Sequence, residues 1–140
     1  MTVPLTGEDL TFEQLYEVSL HGAEASLAAE ARARMVASRA VIDRIVAAET
    51  TAYGVNTGFG DLAEVRISPD QIRTLQMNLV RSHACGVGAP LTEAETRAII
   101  LLRANALAKG LSGVRPLIVE TLCAMLNQRV HPMITHSPYW

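Results

Sequence analysis

Two glycine-bearing stretches hold most of the residues in this chain whose types and spacing could do chemistry. The first reads Tyr53-Gly54-Val55-Asn56-Thr57-Gly58-Phe59-Gly60, with three glycines in seven residues. Such spacing permits positive φ and close approach of backbone to a ligand. A phosphate cradle does not fit it. There is no Gly-Lys-Ser/Thr, the pattern Gly-x-x-x-Gly-x-Gly is not the dinucleotide fingerprint, and no strand pattern precedes it. Without a ligand it reads as a long surface loop turned by its glycines. The second stretch is Ser82-His83-Ala84-Cys85-Gly86-Val87-Gly88. His83 falls at the end of a helical pattern, where an imidazole most often caps carbonyls or packs into a core. No metal site is expected, because His83 and Cys85 are two apart and His21, His131 and His136 lack helical ligand spacing. A Cys85 nucleophile with His83 as its base fares little better, since residues this close in sequence seldom align for that work.

The elements that must position these residues are helices. Thr11-Phe12-Glu13-Gln14 is a capping box that opens a short helix ending near His21-Gly22. From about Ser26 to Ala48, Leu27, Met35, Ile42, Ile45 and Val46 fall near helical spacing, with charged residues between them. Ser68-Pro69-Asp70-Gln71 starts a third helix with Ser at the N-cap and Pro at N1. Ile72, Leu75 and Leu79 then form its stripe, down to about His83. Thr92-Glu93-Ala94-Glu95 opens a fourth helix, and Gly110 stops it. Pro116 marks a fifth, which fades near Arg129. No segment sustains period-two alternation, so the chain is expected to be all-α. The two glycine stretches fall in the loops Thr51 to Ile67 and Ala84 to Leu91.

Composition excludes several classes of function. The 140 residues are 49% hydrophobic, 4% aromatic and 19% charged, with a net charge of -2 from 12 basic and 14 acidic side chains. This is no disordered polyelectrolyte, and it carries no basic footprint for nucleic acid. The longest apolar runs, such as Ala98-Ile99-Ile100-Leu101-Leu102, fall far below the ~20 residues that span a bilayer, so no membrane segment is expected. Cys85 and Cys123 form no Cys-x-x-Cys pair and are expected to be buried reduced thiols. The N-terminus has no signal-peptide pattern, which implies the cytoplasm. The fourth helix is apolar around most of its circumference and is therefore expected to be buried nearly all round. Five helices cannot bury two such central helices, which favours an oligomer or further chain.

The two glycine stretches, taken with Gln76-Met77-Asn78-Leu79-Val80-Arg81 before the second, resemble the N-terminal part of histidine ammonia-lyase and the related aromatic amino-acid lyases and aminomutases. Arg97-Ala98-Ile99-Ile100-Leu101-Leu102-Arg103-Ala104-Asn105, then Leu107 to Pro116, extend the likeness, as do Leu5 to Leu10 and His131-Pro132-Met133-Ile134. It runs from about Leu5 to Ile134. The resemblance implies a helical N-terminal domain of the ammonia-lyase type over residues 1–134, with two glycine-rich active-site loops, followed by a diverged tail over 135–140. It implies an amino acid as ligand and elimination of ammonia through a methylidene-imidazolone electrophile, formed from an internal Ala-Ser-Gly. Tyr53 matches the tyrosine that removes the β-proton. A phenol that ordinarily titrates near ~10 needs positive potential for that, which the family draws from clustered helix N-termini and the electrophile. His83 matches the position facing the substrate side chain, and Ser82, Asn56 and Gly60 line the same pocket. The Ser82-His83 pair resembles histidine-type lyases more than plant phenylalanine lyases, although some bacterial tyrosine aminomutases share it.

The departure from the family pattern lies after Ile134, where Thr135-His136-Ser137-Pro138-Tyr139-Trp140 stands in place of the approach to Ala-Ser-Gly. No Ala-Ser-Gly occurs in the sequence, and Leu111-Ser112-Gly113 matches a different family segment. The chain is therefore expected to carry no cofactor of its own and to be incompetent as a lyase alone. Three readings stand side by side. The first is a lyase-like subunit completed by a partner chain. The second is a non-catalytic, ligand-binding or regulatory homo-oligomer that uses Tyr139 and Trp140 for docking. The third is a truncated product that folds.

Overall fold

The computed structural model describes residues 1–48, 52, 55, 57 and 69–137. Among them the elements run β1 (Thr2–Leu5), α1 (Phe12–Ser19), β2 (Glu24–Leu27), α2 (Ala29–Ala47), α3 (Pro69–His83), β3 (Val87–Pro90), α4 (Glu93–Ala108), α5 (Pro116–Asn127) and β4 (Thr135–Ser137). The helices expected from capping and periodicity are all present, and they make the fold helical. The strands are additions of three or four residues each, too short for alternation to show in a sequence.

The described residues belong to two compact units. The first is formed by Met1–Ala40 and Ala89–Ile134. Its helix starts follow the sequence signals closely. The Gln14 N–H donates to Thr11 Oγ1 at 3.2 Å while the Thr11 N–H donates to Gln14 Oε1 at 3.0 Å. Thr92 and Glu95 repeat the arrangement at 3.3 and 2.8 Å. Each box satisfies two of the donors that a helix N-terminus leaves orphaned. β1 and β2 pair in parallel, Val3 opposite Ala25 and Leu5 opposite Leu27, joined through α1. Val3 and Leu5 point into the core while Thr2 and Pro4 point out. The second helix consequently begins at Ala29 rather than near Ser26, because residues 24–27 are drawn into β2. Asn127, the last residue of α5, holds the backbone of β2: the Ala25 N–H donates to Asn127 Oδ1 at 2.8 Å, and Asn127 Nδ2 donates to the Ala25 carbonyl at 3.0 Å.

α4 packs against α1 and α5, and α5 packs against β2. The core between them contains Val3, Leu5, Val18, Met35, Leu101, Val119 and Leu126, all at most 1% exposed. α4 does not bury its whole circumference within this chain. Its buried stripe is Thr96, Arg97, Ile100, Leu101, Ala104, Leu107 and Ala108, whereas Ile99 and Leu102 are 43% and 50% exposed. One face meets α1 and α5, and among the described residues no element covers Ile99 and Leu102 on the other. Two glycines are required by geometry. Gly7, at φ +91°, lies so close to α4 that a Cβ there would come within 2.6 Å of the Lys109 nitrogen, and Gly110, at φ +76°, lies against the Arg34 backbone.

The second unit is formed by Val41–Gly88 and Thr135–Trp140. In α3, Leu75 and Leu79 are half-buried while Met77 and Val80 are exposed. The Leu75–Leu79 stripe read from the sequence is thus the inner side of this helix. The stretch Ala84 to Leu91, expected as loop, contains β3, which pairs with β4. No helix among the described residues is long and apolar enough to cross a membrane.

Candidate functional site

The second glycine stretch begins where α3 ends. In its last turn, two side chains turn back to a carbonyl of the same helix, that of Leu79, which lies within the helix's own N–H ladder. Ser82 Oγ donates to the Leu79 carbonyl at 2.8 Å, and His83 Nδ1 lies 2.8 Å from the same oxygen and 3.1 Å from Ser82 Oγ. A carbonyl only accepts, so the proton is on Nδ1 and the ring presents Nε2 to any further partner. One ring nitrogen is thus held by the carbonyl four residues back, inside the helix rather than at its orphaned end, and the other is left for chemistry. Backbone bonds from Ala84 to Val80 and from Cys85 to His83 carry the chain off the helix.

Ser82 and His83 are both exposed, and every side-chain bond given above for them stays within four residues. Cys85 is exposed as well, in contrast to the expected buried thiol, and its Sγ reaches the Ser82 carbonyl at 3.7 Å. Leaving the end of α3 carries it out of the apolar surroundings that a buried thiol needs. Cys123 follows the expectation: it is 5% exposed, and burial with the Glu120 charge pushes its thiol up to about 11.

Tyr53, Asn56 and Gly60 lie outside the described residues, as do Ser68, Tyr139 and Trp140. From the first glycine stretch the structure describes Val55, whose N–H closes a turn on the Ala52 carbonyl at 3.1 Å, and Thr57, which is 2% exposed. A hollow of about 410 Å³ lies on α3, lined by Arg73, Gln76, Met77, Val80 and Arg81. Those positions recur at helical spacing on one side of α3, and neither Ser82 nor His83 lines it. Among the described residues no three His, Cys, Asp or Glu side chains converge to hold a metal.

A second polar cluster, within the first unit, was missed by the motif reading. Arg97 is 2% exposed near the start of the α4 stripe. Its Nε and Nη2 donate to the Val18 carbonyl at 3.0 and 2.7 Å, and Nη1 donates to the Leu126 carbonyl at 2.9 Å. Val18 and Leu126 lie in the last turns of α1 and α5, so one guanidinium caps two helix C-termini, where a cation is favoured by the helix dipoles. Nη1 also meets His131 Nε2 at 3.0 Å, and His131 Nδ1 lies 3.9 Å from Glu93 Oε1. Burial lowers the Arg97 pKa, opposed by Glu93 and reinforced by Arg129. A signal for it existed: Arg97 has the helical phase of Ile100, Leu101 and Ala104, which are buried.

A family model described as aromatic amino acid lyase matches residues 10–137. The chain is 53% identical over 130 residues to a histidine ammonia-lyase of Koribacter versatilis (strain Ellin345), a match covering 93% of this chain and 25% of that one. It is 49% identical over 132 residues to a histidine ammonia-lyase of Bacillus subtilis (strain 168), covering 94% and 26%. The fold is similar to that of the histidine ammonia-lyase from Trypanosoma cruzi, with a TM-score of 0.90 and 42% identity over 99% of this chain and 27% of that one. It is similar also to tyrosine aminomutase from Streptomyces globisporus, with a TM-score of 0.92 and 38% identity, covering 99% and 26%. The chain spans about a quarter of the length of the relatives it matches.

Proposed function

The chain belongs to the aromatic amino acid lyase family, and from that premise we propose that it supplies the substrate-facing wall of an ammonia-lyase active site whose electrophile comes from residues outside these 140. Tyr53 is the base that removes the β-proton, His83 faces the substrate side chain, and Ser82, Asn56 and Gly60 line the pocket. The observation that carries this reading is the Ser82–His83 arrangement at the end of α3. With Nδ1 committed to the Leu79 carbonyl, neutral His83 offers Nε2 as an acceptor. An imidazole N–H or a phenol O–H on the substrate side chain can donate to it, and a plain phenyl ring cannot.

Between those two donors the sequence relationship favours imidazole. Identity to histidine ammonia-lyases runs from 42% to 53%, against 37% to 39% for the tyrosine aminomutases. Histidine is the proposed substrate and the cytoplasm the proposed location.

The family's electrophile does not fit residues of this chain. In Leu111-Ser112-Gly113 a leucine stands where alanine is needed. The Gly113 N–H, whose nitrogen a cyclisation would consume, donates instead to Ser38 Oγ at 3.1 Å. No reaction step is therefore assigned to the chain alone. The exposed apolar side chains of α1 and α4, among them Phe12, Ile99 and Leu102, suit cover by further lyase fold or by oligomer partners.

The test is complementation. The chain is co-expressed with the Ala-Ser-Gly-bearing remainder of a histidine ammonia-lyase, and urocanate absorbance is followed. Urocanate should form with the pair and with neither part alone. A pair that assembles and stays silent defeats the proposal. So does the isolated chain, if its intact mass falls by two waters and it eliminates ammonia.

A further inference from the structure

We propose that His131 is a positioning residue: Arg97 fixes its tautomer and ring orientation, and the pair sets the path by which residues 130–134 leave α5. The argument starts from the guanidinium, which has donors only and stays charged. Its Nη1 can meet His131 Nε2 at 3.0 Å in one sense alone, with Nη1–H donating and the imidazole nitrogen accepting. The ring proton is thereby placed on Nδ1, on the side of Glu93 Oε1 at 3.9 Å. The charged groups facing the ring are thus Arg97 and Glu93 from α4. Arg129, from the end of α5, adds its field at Arg97.

The backbone at this point needs such a hold. Arg129 is in the left-handed region at φ +55°, the conformation that usually calls for glycine after a helix. The Arg129 and Val130 N–H groups turn back to the Leu126 and Met125 carbonyls at 3.3 and 2.9 Å. The Leu126 carbonyl also accepts from Arg97 Nη1. The same guanidinium nitrogen therefore grips the last turn of α5 and the second residue beyond the turn. A further tie follows at Ile134, whose carbonyl accepts from the Leu91 N–H at 2.7 Å. Between the two ties lie Pro132, which has no N–H, and Met133, which is 82% exposed. Without the His131 contact, the bonds given among the described residues would hold the exit at Val130 and at Ile134 and leave the stretch between them without a tie.

The functional weight of this path rests on the proposed lyase reading, in which chain beyond Ile134 leads toward the electrophile; the physical claim does not. Long-range ¹H–¹⁵N spectra of the whole chain should show His131 protonated on Nδ1 and bare on Nε2, and the opposite tautomer would overturn the proposal. His131→Gln places an amide oxygen near the position of Nε2 and keeps an acceptor for Arg97, whereas His131→Phe keeps a ring and loses it. Amide exchange at Val130 and Leu91, whose N–H groups donate to the Met125 and Ile134 carbonyls on either side of His131, should rise roughly tenfold or more in the Phe variant, as expected for losing a bond to a charged donor. It should stay near wild type in the Gln variant. Equal exchange in both variants refutes the role. If the Phe variant does not fold, the wild-type tautomer and the Gln variant still decide. Silent complementation beside the expected tautomer and exchange counts against the lyase reading and leaves the positioning role standing.

Discussion

Arg97 and His83 each bond to backbone carbonyls near the end of a helix, and they do so in opposite ways. Arg97 is 2% exposed and spans elements far apart in sequence, from Val18 to Leu126 and His131. His83 is exposed and bonds to a carbonyl four residues back. A buried guanidinium must have its donors met, since a charge taken out of water without partners costs several kcal/mol. All three of its nitrogens are engaged accordingly. An exposed imidazole has no such obligation, and only one of its nitrogens is used to orient it. The contrast separates polar groups that hold a fold from those held ready for something else: the first are saturated by distant parts of the chain, the second are aimed by their neighbours.

The sharpest way to break the contrast is at Arg97. Arg97→Met keeps much of the volume and removes every donor, which leaves the Val18 and Leu126 carbonyls without it in a dry interior. A loss of about 1–3 kcal/mol for each buried acceptor left unmet is expected. Denaturant unfolding with a shared slope measures it. A loss below about 1 kcal/mol would mean that water replaces the guanidinium, and the distinction between saturated and poised groups would fail at its strongest example.

These two clusters also differ in how far they could be read in the sequence. Helix starts were legible because capping is local: Thr11 with Gln14, and Thr92 with Glu95, are decided within four residues. Ser82 and His83 were legible for the same reason, as part of an uninterrupted motif at a helix end. The Arg97 cluster draws on residues 18, 93, 126 and 131, and no local pattern announces such a set. The short strands escaped notice similarly. β2 exists because β1 pairs with it and Asn127 brackets Ala25, a partner 102 residues away. The Cys85 expectation failed because burial habit was applied to a residue just past a helix end. Tyr53, Asn56 and Gly60 rest on the family likeness alone, since they lie outside the described residues.

The two cysteines give the contrast a milder test within one molecule. Cys85 is exposed, and Cys123 is buried with its thiol pushed up to about 11 by desolvation and Glu120. A thiolate-selective reagent at neutral pH should label one thiol in the native chain, at Cys85, and two after unfolding. The Cys123 shift also carries a sign. Its folded pKa is raised above the ordinary 9.0, so the folded state binds that proton more tightly. The stability it contributes is full below pH 9 and falls as pH rises toward 11. Cys123→Ala should remove that alkaline decline while lowering stability at neutral pH through the lost volume. An unchanged alkaline decline in the variant would assign it to other groups.

The smallest expected effect on stability is the most informative about function. His83→Ala and Ser82→Ala remove exposed side chains whose bonds return to the Leu79 carbonyl. The Leu79 carbonyl lies within the helix's own N–H ladder and is not orphaned by either change, so each variant should unfold within about 0.5 kcal/mol of wild type. In the complementation assay the same two changes should separate. His83→Ala removes the acceptor that faces the substrate and should raise KM for histidine as well as lower kcat. Ser82→Ala leaves the ring in place with one contact fewer to orient it, so the milder loss belongs there. Were His83→Ala to cost stability on the scale of Arg97→Met, the imidazole would be a structural cap like the guanidinium. Its exposure would then be the accident of a face still to be covered, and the assignment of His83 to the substrate would lose its physical basis.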